Sequence, residues 1–130
     1  MGDPDGTAFS ATEFRLVEEE PRRGTALLAV FGDVDLHVAD ELGDRLVAMI
    51  ERGTTAVVVD LSGVTFVDSQ GLGALLRGTR TASSSQAQVR LVVPGGQVRR
   101  IFEITSLDDV FSLDASREEA LARSGRDAEA

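Results

Sequence analysis

The sequence contains no cysteine, no tryptophan and no tyrosine, and all 13 of its basic residues are arginine. Without cysteine, the chain can form no disulfide bond, thiolate zinc site or cysteine nucleophile. Without lysine, it has neither a Schiff-base amine nor the lysine of a phosphate-binding P-loop. Aromatic platforms for single-stranded nucleic acid are limited to six scattered phenylalanines. These absences exclude many common enzymatic and nucleic-acid-binding chemistries.

Basic residues are few relative to acidic ones: 13 against 22, which gives a formal charge of −9. Such a surface repels phosphate backbones and anionic lipids unless its basic groups are concentrated locally. The adjacent basic pairs, Arg22–Arg23 and Arg99–Arg100, are too short for that purpose. We therefore predict partners that are neither nucleic acids nor membranes.

Long apolar runs are also missing from the sequence. No stretch approaches the ~20 apolar residues that a membrane-spanning helix needs, and residues 1–10 contain no apolar signal segment. Together with the absence of cysteine, this predicts a cytoplasmic protein. The acidic runs at 18–20 and 108–109 have no ligand partners at metal-binding spacing. We interpret them as solvated charge and predict no metal and no cofactor.

The length of 130 residues fits a single domain. Residues 1–8 are rich in Gly, Asp and Pro and are predicted to form a flexible arm. The folded domain is predicted over 9–123, followed by a frayed tail at 124–130. Apolar segments of strand length lie at Phe14–Leu16, 25–31, 56–61, 89–93 and 110–113.

Helical spacing of apolar residues predicts about four helices between and after these strands. Asp35 is a candidate N-cap for a first helix that starts near His37, and Ser116 and Glu119 have capping-box spacing. The first two strands are close enough in sequence to pair antiparallel, whereas the later ones alternate with helices and should pair parallel. The sequence therefore predicts an α/β domain with a mixed sheet of four to five strands.

One strand-to-helix junction combines a hydroxyl group with two glycines. Ser69 follows Asp68 at the predicted start of a helix, and Gly71 and Gly73 fall in its first turn. Each glycine costs a helix roughly 1 kcal/mol relative to alanine, so the pair indicates a close approach to the backbone. The simplest role of Ser69 is that of an N-cap. A hydroxyl there would also be exposed at the positive end of the helix dipole, where a phosphate is tolerated.

Three segments of the sequence resemble the STAS family, especially its anti-sigma factor antagonists. The central one is VVVDLSGVTFVDSQGLGALL at 57–76, which matches a buried strand leading to Asp-Ser-x-Gly-Leu-Gly. The others are GDVDLHVADEL at 32–42 and VRRIFEITSLDDVFSL at 98–113. The resemblance covers roughly residues 12–122 and implies a STAS-like fold.

The resemblance implies a binding protein, not an enzyme, that acts by partner switching. The unphosphorylated antagonist binds an anti-sigma factor, a serine kinase of the histidine-kinase-like ATPase type, and thereby releases a sigma factor. Phosphorylation at the position of Ser69 ends this binding, and a serine phosphatase restores it. The partner-binding residues that the resemblance implies are Asp33, Asp35, Asp68, Ser69, Gln70, Gly71, Leu72 and Gly73. Gln70 departs from the Ser or Thr that is frequent in the family, and Asp33 replaces a usual Glu.

Other interpretations remain open from the residues themselves. The chain could be a STAS scaffold or a transporter-associated module that is not phosphorylated. Asp33 and Asp35 could simply form a turn and a cap. A hydrolase with Ser69 as nucleophile is disfavoured, because the junction lacks the first glycine of G-x-S-x-G and His37 is the only histidine. Neither Gly71-Leu72-Gly73 nor Gly95-Gly96 is a phosphate-binding fingerprint.

Overall fold

A computed structural model describes residues 13–124 of the chain. Within this part the strands are β1 (Arg15–Arg22), β2 (Thr25–Val34), β3 (Ala56–Val67), β4 (Gln88–Val92) and β5 (Ser112–Asp114). The α-helices of the same part are α1 (Ala39–Glu51), α2 (Ser69–Ser84), α3 (Gln97–Ile104) and α4 (Arg117–Arg123). A short 3₁₀ helix, Leu107–Asp109, lies between α3 and β5. The predicted α/β class is confirmed.

Among the described residues the strands form one mixed sheet in the order β1-β2-β3-β4-β5. The β1–β2 pair is antiparallel, as its short connection predicted, and the remaining neighbours are parallel. Because parallel pairing requires crossovers, each later strand is preceded by a helix. The carboxyl ends of β2 and β3 therefore lie together at one edge of the sheet, and the helices that follow them begin there.

The larger apolar core lies between one face of the sheet and the helices α1, α2 and α3. Alternate residues of β2 and β3 point into it, including Leu28 and Val59, and they pack with Leu46, Leu75 and Phe102. The opposite face carries a smaller cluster under α4 in which Ala120 is completely buried. Strands that are apolar on both faces are explained by helices on both sides of the sheet.

Strands β1 and β2 end at Arg22 and Val34, beyond the predicted ends at 16 and 31, and two further elements are also extended. β3 continues past Leu61 to Val67, because Val64, Phe66 and Val67 keep pairing with the end of β2. α2 continues through Ser83 to Ser84, the first two residues of a run of three serines whose polar character favours a loop. In both cases tertiary pairing or packing overrides a weak local signal.

The sheet face under α4 carries charged groups that are paired across elements. Asp114 of β5 is 1% exposed and accepts hydrogen bonds from Arg90 at 2.7 Å and from Arg123 at 2.6 Å. Asp60 of β3 is likewise buried and accepts from the Arg117 guanidinium and from the Ser62 amide. Both ion pairs and apolar contacts therefore hold α4 against the sheet.

The Asp60 carboxyl couples the stability of this face to pH. Burial alone would raise the pKa of Asp60, but hydrogen bonds from Ser62 and Arg117 outweigh it and lower this pKa below 3.8. Because the pKa is lower in the folded state than in the unfolded chain, ionised Asp60 stabilises the fold at pH values above the unfolded pKa. This contribution disappears as the pH falls through the lowered pKa.

We expect Asp60→Asn to lower the free energy of unfolding at pH 7 by about 2 kcal/mol, because charged hydrogen bonds are lost. The difference from wild type should shrink as the pH falls from 3.8, where Asp60 of the unfolded chain is protonated, through the lowered pKa, where Asp60 of the folded protein is protonated too. Urea unfolding at pH 7, 5 and 3 measures this change. Asp44→Asn is the control, since it removes only an exposed ion pair with Arg77 and should cost less than about 1 kcal/mol. A difference for Asp60→Asn that is independent of pH would contradict the assignment.

The predicted ends of the domain are covered only in part. The arm at 1–8 lies outside the described residues, as does the tail except for Ser124. Ser124 is 2% exposed, and its hydroxyl donates to the Ala120 carbonyl at 2.7 Å. The predicted capping role of Ser116 is confirmed by a hydrogen bond of 3.2 Å from the Glu119 amide to its Oγ. No helix in residues 13–124 has the length and apolar character needed to cross a membrane.

Candidate partner-binding site at the start of α2

The cap of α2 is Asp68, and Ser69 is the first residue of the helix. The Asp68 Oδ1 accepts a hydrogen bond of 3.0 Å from the Gly71 amide. The interpretation of Ser69 as the N-cap is therefore wrong by one position, because the stronger acceptor precedes it. Ser69 is exposed at this helix end. Its hydroxyl is not needed to cap the helix and can face another protein.

Asp68 also joins α2 to the loop that follows β2. Its Oδ2 accepts a hydrogen bond of 3.1 Å from the Leu36 amide, and its own amide donates to the Val34 carbonyl at 3.1 Å. Leu36 itself is 63% exposed. The Asp68 side chain therefore fixes an exposed apolar residue in the loop beside the start of α2.

The two other aspartates lie on the same edge of the sheet and accept local hydrogen bonds. Asp33 Oδ1 accepts from the Thr65 hydroxyl at 2.6 Å, and Asp35 Oδ1 accepts from the His37 amide at 3.0 Å. The prediction that Asp35 is an N-cap is wrong, since α1 begins at Ala39. A turn separates the two, and the Asp35 carbonyl accepts from the Ala39 amide. Both residues are half-buried, and we call these two and Asp68, which all lie at or just after the carboxyl ends of β2 and β3, the acidic rim.

The two glycines in the first turns of α2 have different surroundings. A Cβ on Gly71 would lie 2.6 Å from the Val34 carbonyl oxygen and 2.8 Å from Val67 Cγ2. The close approach that the sequence indicated is therefore made here by the chain itself, and Gly71 is buried. A Cβ on Gly73 would meet no heavy atom within 4 Å outside its own helical backbone and chain neighbours. Gly73 is exposed, so the fold of the described residues gives no steric reason for it.

An apolar groove of about 270 Å³ runs beside Ser69, between α2 and the 3₁₀ helix. We call it the α2 groove, and its lining residues are Ser69, Leu72, Gly73, Leu76, Leu107 and Phe111. Phe111 is held by an edge-to-face contact with Phe102, with ring centroids 5.6 Å apart. Three of these lining residues were not predicted from the sequence: Leu76, Leu107 and Phe111. Their apolar character was visible, but only the packing of two distant segments brings them to Ser69.

The remaining predicted site residues are also placed by α2 and its cap. Gln70 is exposed next to Ser69, and Leu72 is half-buried in the groove. His37 is exposed in the turn before α1. Within residues 13–124, no cluster of three or more His, Asp or Glu side chains is arranged to hold a metal ion.

The chain is similar to known proteins in sequence and in fold. Residues 17–120 match the model of the STAS domain family. The chain is 31% identical over 120 residues to the anti-sigma-F factor antagonist RsfB of Mycobacterium tuberculosis, covering 91% of this chain and 98% of RsfB. It is also similar to the crystal structure of an anti-sigma factor antagonist from Mycobacterium paratuberculosis, with a TM-score of 0.77 and 26% identity over 87% of this chain and 95% of that one.

A second similar structure is that of the Bacillus cell fate determinant SpoIIAA in its phosphorylated form. Its TM-score is 0.64 at 26% identity, and the match covers 85% of this chain and 98% of that one. Each of these three proteins is matched over 95–98% of its own length. The mixed sheet with helices on both faces and the family match over residues 17–120 together show that the chain belongs to the STAS domain family.

Proposed function

We propose that this protein is an anti-sigma factor antagonist switched by phosphorylation of Ser69. Unphosphorylated, it binds an anti-sigma factor that is a serine kinase of the histidine-kinase-like ATPase type, and a sigma factor is released. Phosphate on Ser69 ends the binding, and a serine phosphatase removes it. The protein acts in the cytoplasm as a binding module and not as an enzyme. The observation that carries the proposal is the exposed Ser69 hydroxyl at the first residue of α2, beside an apolar groove.

The start of α2 is suited to carry a phosphate without loss of the fold. Asp68, and not Ser69, caps the helix, so modification of the serine leaves the capping hydrogen bond to Gly71 in place. The amides at a helix N-terminus and the helix dipole accommodate an anion. Phosphorylation should therefore change the surface charge of the site more than its structure.

The partner surface that we propose surrounds this serine. Asp33, Asp35 and Asp68 form its acidic rim, Gln70 is exposed beside Ser69, and Leu72 and Gly73 line the groove. Gly71 contributes from below, since its missing side chain allows α2 to pack directly against Val34. The similarity to a structure described as phosphorylated supports the modification, and the similarity to anti-sigma factor antagonists supports an anti-sigma factor as the partner.

The test uses every anti-sigma factor with a histidine-kinase-like ATPase domain that the source genome encodes. Each is incubated with the full-length chain and ATP, and the phosphorylated residue is identified by mass spectrometry. We expect at least one kinase to place phosphate on Ser69 and none on Ser69→Ala. The alanine variant should keep its melting temperature and still bind the same kinase, since the Asp68 cap is untouched.

Other outcomes identify the alternatives. Tight binding without any phosphate transfer would favour a STAS scaffold, and phosphate on another residue would contradict the role of Ser69. A hydrolase would require ester turnover that is lost in both Ser69→Ala and His37→Ala. Within the described residues, no hydrogen bond links these two side chains, which does not favour that chemistry.

A further inference from the structure

We infer that the α2 groove receives an amphipathic segment of the protein partner, with apolar side chains in the groove and basic side chains on both flanks. This inference rests on the proposed function and specifies how the partner is recognised. It goes beyond the exposed serine, because it assigns a role to Gly73, to the 3₁₀ helix and to the acidic pair Asp108–Asp109.

The space in which a side chain of residue 73 would lie is vacant. Glycine in a helix costs roughly 1 kcal/mol relative to alanine, and the local fold repays this at Gly71 through its contact with Val34. At Gly73 no neighbouring group occupies the position of a side chain. Any residue larger than glycine would project into the α2 groove, since Gly73 lines it. The glycine keeps the groove open.

The α2 groove is apolar and small. Leu72, Leu76 and Leu107 are only half-buried, so their apolar surfaces face the groove and solvent. Exposed apolar surface of this kind marks interaction sites. The volume of about 270 Å³ lies at or below the lower limit of small-molecule pockets, roughly 300 Å³. It suits one or two side chains of a protein segment better than a whole cofactor.

The α2 groove has acidic residues near it on both the α2 side and the 3₁₀ helix side. Asp68 lies at the Ser69 end of the groove, while the exposed Asp108 and Asp109 directly follow Leu107 on the opposite bank. An apolar groove between acidic residues selects a segment that is apolar in the middle and basic at its edges. The net charge of −9 strengthens this preference over the whole surface. The acidic pair is then part of the recognition surface and more than solvated charge.

The arrangement also explains how one phosphate can control binding. Ser69 is itself a lining residue of the groove, so a phosphate on its oxygen would stand at the mouth of the apolar surface. An apolar side chain entering there would have to desolvate a dianion. Phosphorylation therefore blocks the groove without moving its walls.

The test measures the affinity of the full-length chain for the kinase that binds wild type most tightly in the panel described above. In Gly73→Met a side chain fills the groove, and we expect the dissociation constant to rise at least tenfold. Gly73→Ala, whose side chain fills less of the groove, should raise it by a smaller factor, about threefold. Ala48→Met, at an exposed position of α1, is the matched control and should bind like wild type. Methionine and alanine both favour helix over glycine, so the Gly73 variants should melt at or above the wild-type temperature.

The flanking charges are tested with the double variant Asp108→Asn/Asp109→Asn. Its affinity should fall about three- to tenfold at low salt, and its dependence on salt concentration should be weaker than that of wild type. If wild type binds but Gly73→Met binds equally well, the groove inference is overturned while the proposed function stands. If the aspartate pair has no effect on affinity or salt dependence, the partner is not recognised by basic flanks. If wild type binds no kinase of the panel, the proposed function fails, and the inference fails with it.

Discussion

Phosphorylation of Ser69 is expected to weaken binding to the anti-sigma factor at least 30-fold. A phosphate brings about −1.5 to −2 charges to a site that already carries Asp68 and the acidic rim. An apolar side chain that enters the groove must strip water from this dianion, which costs a few kcal/mol, and about 2 kcal/mol corresponds to a factor of 30. The effect on the fold should be small, since a helix N-terminus tolerates an anion.

Calorimetry or surface plasmon resonance with the phosphorylated and phosphatase-treated proteins measures this effect directly. Ser69→Glu should act in the same direction but less strongly, because one carboxylate carries less charge and fewer oxygens than phosphate. Ser83→Glu adds the same charge to an exposed position at the other end of α2 and serves as the matched control. Equal affinity of the phosphorylated and unphosphorylated forms would contradict the charge mechanism.

Asp114→Ala is expected to lower the free energy of unfolding by about 3–5 kcal/mol, more than Asp60→Asn does. Asp114 is 1% exposed and lies between Arg90, also buried, and Arg123. Removing this carboxylate takes away the negative charge that compensates a buried guanidinium, and it detaches the last turn of α4 from β5. Because natural domains have only about 5–15 kcal/mol of stability, this is a large share.

Denaturant unfolding at pH 7 measures the loss, and the melting temperature should fall by on the order of 10 °C. Arg123→Gln is the informative comparison, since its side chain is 54% exposed and its loss should cost much less. The groove side of the molecule should retain its structure if the variant remains folded. A change in the free energy of unfolding below 1 kcal/mol for Asp114→Ala would show that the ion pairs of Asp114 with Arg90 and Arg123 contribute little to stability.

The existence and type of the strands and α-helices in the described part of the chain followed from the sequence, whereas the 3₁₀ helix was not predicted. Strands that are apolar on both faces and helices with one apolar stripe have strong periodic signals, and the sheet with its antiparallel first pair agrees with them. The ends were less predictable. β3 extends to Val67 because β2 offers it a partner, and α2 extends to Ser84 despite three consecutive serines.

The candidate site was predictable in its centre and not in its surroundings. The Asp-Ser-x-Gly-Leu-Gly run located the junction, but two acceptors compete there for the cap. Only the backbone geometry shows that the Asp68 carboxylate binds the Gly71 amide and leaves Ser69 exposed. The two glycines look equivalent in sequence, yet one packs against Val34 and the other faces open space.

By itself, the sequence determined the class of fold, the excluded chemistries and the position of the candidate serine, because composition, periodicity and a local motif are properties of neighbouring residues. The tertiary structure decided what surrounds that serine. It brought Leu107 and Phe111 against α2, tied Leu36 to Asp68, and separated the buried Gly71 from the exposed Gly73. These contacts join segments that are distant along the chain, and their distances are fixed only when the helices pack on the sheet.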